Sequence, residues 1–251
     1  MTTEEMVVDV SQDWVLACDV QQGFMKAPCT VNDSLDYSAR CRQVRALGGD
    51  CYSFIPFADD CLALVIGDAS GKGLAAALMI ANVQSSLRTA ALFTGDDLGA
   101  LLKAVNHQAY SSSLANRYAT LFYGVFDNVK RTLRYINAGH NPPVVLPRDG
   151  SVEWLETSGA PVGMFPDSIY EEKVVELEAG ALVIAYTDGL VEATNQNGEE
   201  WGVQGLLKAA VCGVRLSQNA GDLVHLVFHS MDDFSKEHQT DDATLAVVRM
   251  I

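Results

Sequence analysis

The chain has 251 residues, about half of them apolar (49 %), which is enough to bury the core of one large domain or two small ones and excludes a disordered chain. The formal net charge is −15, from 17 basic and 32 acidic side chains. Such a field disfavours nucleic acid and anionic lipid and attracts cations.

Residues 11–26 carry Trp14, Val15, Cys18, Val20, Phe24 and Met25 at loosely helical spacing behind Ser11, a good N-cap. Pro28 to Ser34 reads as a loop and 36–42 as a strand. Gly48-Gly49-Asp50 is a turn before a strand at 51–57, and Ala58-Asp59-Asp60 a hairpin-like turn before the strongly apolar strand 61–67. Asp68-Ala69-Ser70-Gly71-Lys72-Gly73 breaks that pattern, and helices follow at about 74–92 and 97–113. Strands at 118–127 and 131–138 join through a short turn, and short strands near 143–147 and 151–155 flank Arg148-Asp149-Gly150. After a Gly- and Pro-containing loop at 157–167, strands at 171–177 and 181–187 are expected to pair through Ala179-Gly180. Helices at 203–213 and 219–236 and a strand at 242–250 end the chain.

This order lacks strict βαβ alternation. It argues for an α+β fold with antiparallel strands and segregated helices. No repeat, low-complexity tract or linker breaks the chain, so one domain is the economical reading. No apolar run reaches the roughly 18 residues a bilayer demands. The acidic start Met1-Thr2-Thr3-Glu4-Glu5 lacks the basic region of a secretory signal. Six cysteines (18, 29, 41, 51, 61 and 212) form no C-x-x-C pair and read as reduced thiols filling core space, not zinc ligands. The expectation is a cytoplasmic protein with no membrane and no nucleic-acid partner.

Four aspartates stand at strand ends or in glycine turns: Asp50, Asp68, Asp188 and Asp241. Each belongs to a segment expected in one sheet system. Singly, an Asp-Gly turn is ordinary. Converging carboxylates would repel one another unless a cation joined them, and hard cations such as Mg²⁺ and Mn²⁺ prefer oxygen ligands.

Leu47-Gly48-Gly49-Asp50-Cys51-Tyr52-Ser53-Phe54 and Leu64-Val65-Ile66-Gly67-Asp68-Ala69-Ser70-Gly71-Lys72-Gly73 resemble blocks of the metal-dependent protein phosphatases, in particular the bacterial SpoIIE/RsbU-type branch that regulates sigma factors. The resemblance continues through Thr120-Leu121-Phe122-Tyr123-Gly124, Asn137-Ala138-Gly139-His140-Asn141-Pro142-Pro143, Tyr186-Thr187-Asp188-Gly189-Leu190-Val191-Glu192-Ala193 and Asp241-Asp242-Ala243-Thr244-Leu245, in the family's order. It implies a four-layer αββα sandwich, two antiparallel sheets flanked by helices. It implies a serine/threonine phosphoprotein phosphatase domain over 36–251. The helix and linker of 1–35 would then be a candidate regulatory segment. The implied metal ligands are Asp50, Asp68, the carbonyl of Ala69, Asp188 and Asp241. They would hold two ions, Mn²⁺ or Mg²⁺, that activate a water, with no protein nucleophile. The implied substrate is a phosphorylated protein, in this branch an anti-sigma-factor antagonist, with a regulatory partner or a dimer controlling activity. Gln43-Val44 and Cys51 depart from the family's usual Pro-Ala and aromatic residues.

Arg45, five residues before Asp50, reads either as a ligand of the substrate phosphate or as a surface strand arginine. Lys72 is either an anion contact at a helix start or a solvated side chain. His140 is either a general acid or a turn histidine that fixes its loop. One rival is a non-catalytic phosphoprotein-binding module of the same fold. The other is a dinucleotide-binding enzyme, since Gly71-Lys72-Gly73-Leu74-Ala75-Ala76 matches G-x-G-x-x-A. Asp68 would repel a pyrophosphate there, and the second strand that motif requires is missing.

Overall fold

In a computed structural model, residues 3–25, 34–57, 61–112, 117–236 and 238–251 are described. The turn expected at Ala58-Asp59-Asp60, nearly all of the loop from Pro28, and Cys29 lie outside them. The elements run α1 (Thr3–Phe24), β1 (Leu35–Arg42), β2 (Asp50–Phe57), β3 (Cys61–Ala69), α2 (Leu74–Ala91), α3 (Leu98–Ser112), β4 (Ala119–Asp127) and β5 (Thr132–Ala138). They continue as β6 (Val144–Leu146), β7 (Glu153–Trp154), β8 (Lys173–Glu176), β9 (Leu182–Tyr186), α4 (Asp188–Val191), α5 (Gly202–Val214), α6 (Ala220–Ser235) and β10 (Ala243–Met250).

The strands form two five-stranded antiparallel sheets, ordered β1-β10-β9-β6-β7 and β2-β3-β4-β5-β8. Strand periodicity explains the layering. Along β3, Leu62, Leu64 and Ile66 belong to the core between the sheets, with Phe122, Phe126, Val183 and Ala246. The alternate residues Ala63 and Val65 pack under α2 and α3, with Ile80, Val83, Leu101 and Val105. Side chains on a strand alternate faces, so a strand covered on both sides reads as one continuous apolar run. The other sheet repeats the scheme, with Ile184, Leu245 and Val247 against Leu206, Val224 and Phe228 of α5 and α6. The result is the expected α+β sandwich of four layers.

Three expectations change. The strands at 171–177 and 181–187 do not pair: β8 bonds to β5, whereas β9 bonds to β10 and β6. Glu178, Ala179 and Gly180 carry the chain from one sheet to the other, because each strand has an apolar face that a different layer covers. The first helix starts at Thr3, well before Ser11. Cys51 is buried as expected of a core thiol, but Cys212 is exposed on α5. The dinucleotide reading fails on topology: α2 is followed by α3, and β3 pairs antiparallel with both neighbours. No described helix is long and apolar enough to cross a membrane.

Candidate active site

β3 runs two residues past its apolar run, through Asp68 and Ala69. The ladder sets Asp50 opposite Asp68, and Asp68 opposite Thr120 of β4. Directly opposed residues project from the same face of a sheet. This is the face of Leu64 and Ile66, turned toward the other sheet. Asp50 is 2 % exposed, and its Oδ2 accepts two hydrogen bonds from that other sheet's chain ends, from Thr187 Oγ1 at 2.7 Å and Thr244 Oγ1 at 2.6 Å. Burial, then the Asp68 charge, pushes the Asp50 carboxyl up against the pull of those two hydroxyls. Asp68 rises to about 7, through burial and then the charges of Asp188, Asp241 and Asp242.

Asp188 opens α4 just after β9, and Asp241 immediately precedes the Asp242-to-β10 junction. The four aspartates therefore come from two sheets, two from each, and not from one sheet system as expected. They meet because β2–β3 and β9–β10 end at the same edge of the sandwich. Burial and then Asp241 raise the Asp188 carboxyl in turn. Gln239 Nε2 donates to the carbonyls of Asp241 at 2.7 Å and Arg42 at 2.9 Å, fixing the approach to β10.

The second aspartate of the pair has a separate task. Asp242 Oδ1 accepts from Val44 N–H at 2.8 Å, and Oδ2 from Gly49 N–H at 3.0 Å, which ties the turn before Asp50 to the other sheet. A Cβ on Gly48 would collide with that carboxylate. A Cβ on Gly49 would lie 3.0 Å from the Ala69 carbonyl oxygen and 3.1 Å from Asp68 Oδ1. The paired glycines are thus a steric requirement of the cluster. Sequence reasoning missed Asp242, Thr187 and Thr244 as braces. Thr187 and Asp242 each stand beside a candidate ligand, but nothing local says where their oxygens point.

Arg45 is exposed, and its Nη1 would lie 3.3 Å from a Cβ on Gly73, the N-cap of α2. Among the described residues it has no carboxylate partner. Lys72 is exposed, and its ammonium is paired with a carboxylate: its Nζ sits 2.5 Å from Asp241 Oδ2, and this contact raises its pKa. His140 is 3 % exposed, with Nδ1 2.9 Å from Thr120 Oγ1. Burial lowers its pKa to about 4, so it is neutral at pH 7 and is the loop-fixing residue, not a ready general acid.

The donor set suits a hard divalent cation: carboxylates pushed up by one another, a backbone carbonyl beside them, and a lysine ammonium on one of them. Among the described residues no three His, Cys, Asp or Glu side chains are drawn tightly enough to close a shell round one ion. The fit is to ions that keep several waters, as Mg²⁺ does.

Residues 58–251 match the family described as Stage II sporulation protein E (SpoIIE). The chain is 28 % identical over 260 residues to Protein IcfG of Synechocystis sp., covering 91 % of this chain and 40 % of that protein. It is 25 % identical over 244 residues to phosphoserine phosphatase RsbU of Bacillus subtilis, covering 96 % and 71 %. It therefore spans less than half of one of these curated relatives and about seven tenths of the other. The SiaA-PP2C domain of Pseudomonas aeruginosa superposes with a TM-score of 0.84 at 19 % identity, over 100 % of both chains. The catalytic domain of the serine threonine protein phosphatase PstP, in complex with 2 manganese ions, superposes with a TM-score of 0.62 at 18 % identity, over 87 % of this chain and 99 % of that one.

Proposed function

The chain belongs to the SpoIIE/RsbU branch of the metal-dependent protein phosphatases, and from that premise we propose that it hydrolyses phosphoserine or phosphothreonine on a partner protein. Residues 36–251 are the catalytic unit in this reading, and 1–35 the segment through which it is controlled. The substrate class is a phosphorylated protein of a partner-switching system, such as an anti-sigma-factor antagonist. The observation that carries the reading is the meeting of aspartates from two sheets, close enough that Asp188 and Asp241 push the Asp68 carboxyl upward.

Asp50, Asp68, Asp188, Asp241 and the Ala69 carbonyl are the oxygen donors for Mn²⁺ or Mg²⁺, two ions per site. Such ions lower the pKa of water and offset charge on phosphoryl oxygens. Thr187 and Thr244 hold Asp50 in one orientation, so its charge need not reorganise during the reaction. Gly49 keeps the space above Asp68 and Ala69 clear. The Arg45 guanidinium, planar and without a carboxylate partner among the described residues, orients the substrate phosphate. No side chain here is asked to be a nucleophile.

The deciding experiment follows phosphate release from a phosphoserine peptide by the chelated protein, with and without Mn²⁺, beside Asp68→Asn. Release that requires Mn²⁺ and collapses in the variant supports the reading. Mn²⁺ binding without any release would leave the non-catalytic binding module as the better account.

A further inference from the structure

The Ala69 carbonyl stands where β3 stops and a glycine-containing loop leads into α2. Gly71 and Gly73 take φ of 94° and 71°, the left-handed region, and Gly73 caps α2 without a side-chain hydrogen bond. Such a loop has little stiffness of its own. Its ties come from residues 117 and 118, just ahead of β4. Ser70 N–H donates to the Tyr118 carbonyl at 2.8 Å, and Ser70 Oγ accepts from Tyr118 N–H at 3.1 Å. A trans peptide is planar, with its C=O and N–H pointing opposite ways. Holding Ser70 N–H on Tyr118 therefore turns the Ala69 carbonyl oxygen away from β4. That oxygen and Asp68 Oδ1 both approach one point above Gly49, at 3.0 and 3.1 Å. The next peptide plane is held by a side chain: Arg117 Nη1 donates to the Ser70 carbonyl at 3.0 Å.

Arg117 and Gly71 fit each other. The half-buried guanidinium lies across Gly71, where a Cβ would collide with Nη1. Among the described residues Arg117 has no carboxylate partner. Its bond to the Ser70 carbonyl is charge-assisted, which makes it stronger than a neutral one. The backbone that carries Arg117 is itself fixed. Ala119 and Val162 exchange two backbone hydrogen bonds, each at 2.8 Å, and the buried Asn106 accepts from Gly163 N–H at 2.8 Å. The guanidinium thus reaches from a rigid frame to a loop that needs one.

We infer that Arg117 is a positioning residue for the metal centre: by holding the Ser70 carbonyl from the start of β4, it keeps the 69–71 loop docked, so that the Ala69 carbonyl faces the aspartates. This rests on the metal-binding reading of Asp50, Asp68, Ala69, Asp188 and Asp241 given above.

The test is calorimetric titration of Mn²⁺ into the chelated full chain at pH 7.5, with circular dichroism to check that each variant is folded. Hydrogen exchange at Ser70 and Gly71 is read in the metal-free protein. Arg117→Met keeps most of the side-chain volume and removes the hydrogen bond. Loss of a contact that supports a metal ligand costs about 10- to 100-fold, so Mn²⁺ should bind at least about tenfold more weakly and Ser70 should exchange faster. The sign is diagnostic. The variant removes a positive charge from a chain of net charge −15, and the field alone would tighten a cation. Val227→Ala truncates the remote core under α6, so it should lower the melting temperature and leave Mn²⁺ affinity at the wild-type value. If Arg117→Met does not fold, Arg117→Gln carries the same comparison, because its donor lies two bonds nearer the backbone than Nη1. Affinity at or above the wild-type value in the Arg117 variant overturns the inference. An equal loss in Val227→Ala also overturns it, since the effect would then be one of stability alone. Asp68→Asn separates the two levels. If it binds Mn²⁺ normally, the metal reading and this inference fall together. If it loses binding while Arg117→Met keeps it, only the inference falls.

Discussion

Asp50 and Asp68 face each other directly across the β2–β3 ladder, so two carboxylates leave the same face of one sheet side by side. One is buried, and the Asp188 and Asp241 charges bear on the other. Without a cation this arrangement opposes folding. Asp68→Asn should therefore stabilise the chelated protein at pH 7.5 while abolishing Mn²⁺-dependent turnover. A carboxyl raised to about 7 corresponds to a few kcal/mol at most, which solvent at a partly exposed group reduces to about 1–2 kcal/mol. At this chain length that is a gain of roughly 2–8 °C in melting temperature. A lower melting temperature for the variant in EDTA would show that the carboxylates do not strain the fold.

The same pair sets a pH dependence. The folded-state pKa of Asp68 lies above its unfolded value, so the native state binds the extra proton between about pH 4 and 7. Stability of the metal-free protein should be greatest at the lower end of that window and decline as pH rises through 7. Mn²⁺ should remove most of the slope. Melting scans from pH 4.5 to 8, with EDTA and with excess Mn²⁺, measure both. A flat profile in EDTA contradicts the expectation.

The threonine braces are not equivalent. Thr187 Oγ1 donates to Asp50 and also accepts from Thr244 N–H at 2.8 Å, whereas Thr244 Oγ1 is a second donor to the same Asp50 oxygen. Thr187→Val leaves a buried backbone N–H without its partner as well as a weakened carboxylate. It should cost about 2–3 kcal/mol, against about 1–2 kcal/mol for Thr244→Val. Urea unfolding of the two variants should preserve that order.

Gly49→Ala places a methyl 3.0 Å from the Ala69 carbonyl oxygen, which is backbone and yields little. The expected loss is about 1–3 kcal/mol, with weaker Mn²⁺ binding. Gly23→Ala is the control, because nothing lies within 4 Å of the added carbon. Within α1 it should be neutral or stabilise by up to about 1 kcal/mol without touching metal affinity.

Lys72 occupies Asp241 from a largely exposed position, with side chains 52 % and 39 % exposed. Such a pair contributes about 0–1 kcal/mol. Lys72→Met should leave stability nearly unchanged and tighten Mn²⁺ by no more than about fivefold, because the ammonium no longer competes for the carboxylate. A marked loss of Mn²⁺ affinity would instead mean that Lys72 assists the metal-bound state.

Much of the fold was legible locally. Alternating and continuous apolar runs marked all ten described strands to within two residues at each end, and helical spacing marked α2, α3, α5 and α6. These signals are periodic within a single element and need no partner. Glycine turns and the aspartates beside them were equally visible. The four-residue helix α4 was not, being too short to repeat a pattern.

What only the tertiary structure decided was pairing across distance. The sequence permits β8 and β9 to form a hairpin, and the packing of two layers sends them to different sheets. The sequence lists Asp50 and Asp68 some 120 residues or more before Asp188 and Asp241. It cannot state that two sheets end at one edge, where burial and mutual repulsion shift those carboxyls together. Nor does any local pattern distinguish Asp242 from Asp241. A side chain's role there depends on which backbone group the folded chain brings to it, and that is fixed by the stacking of layers rather than by the residues on either side.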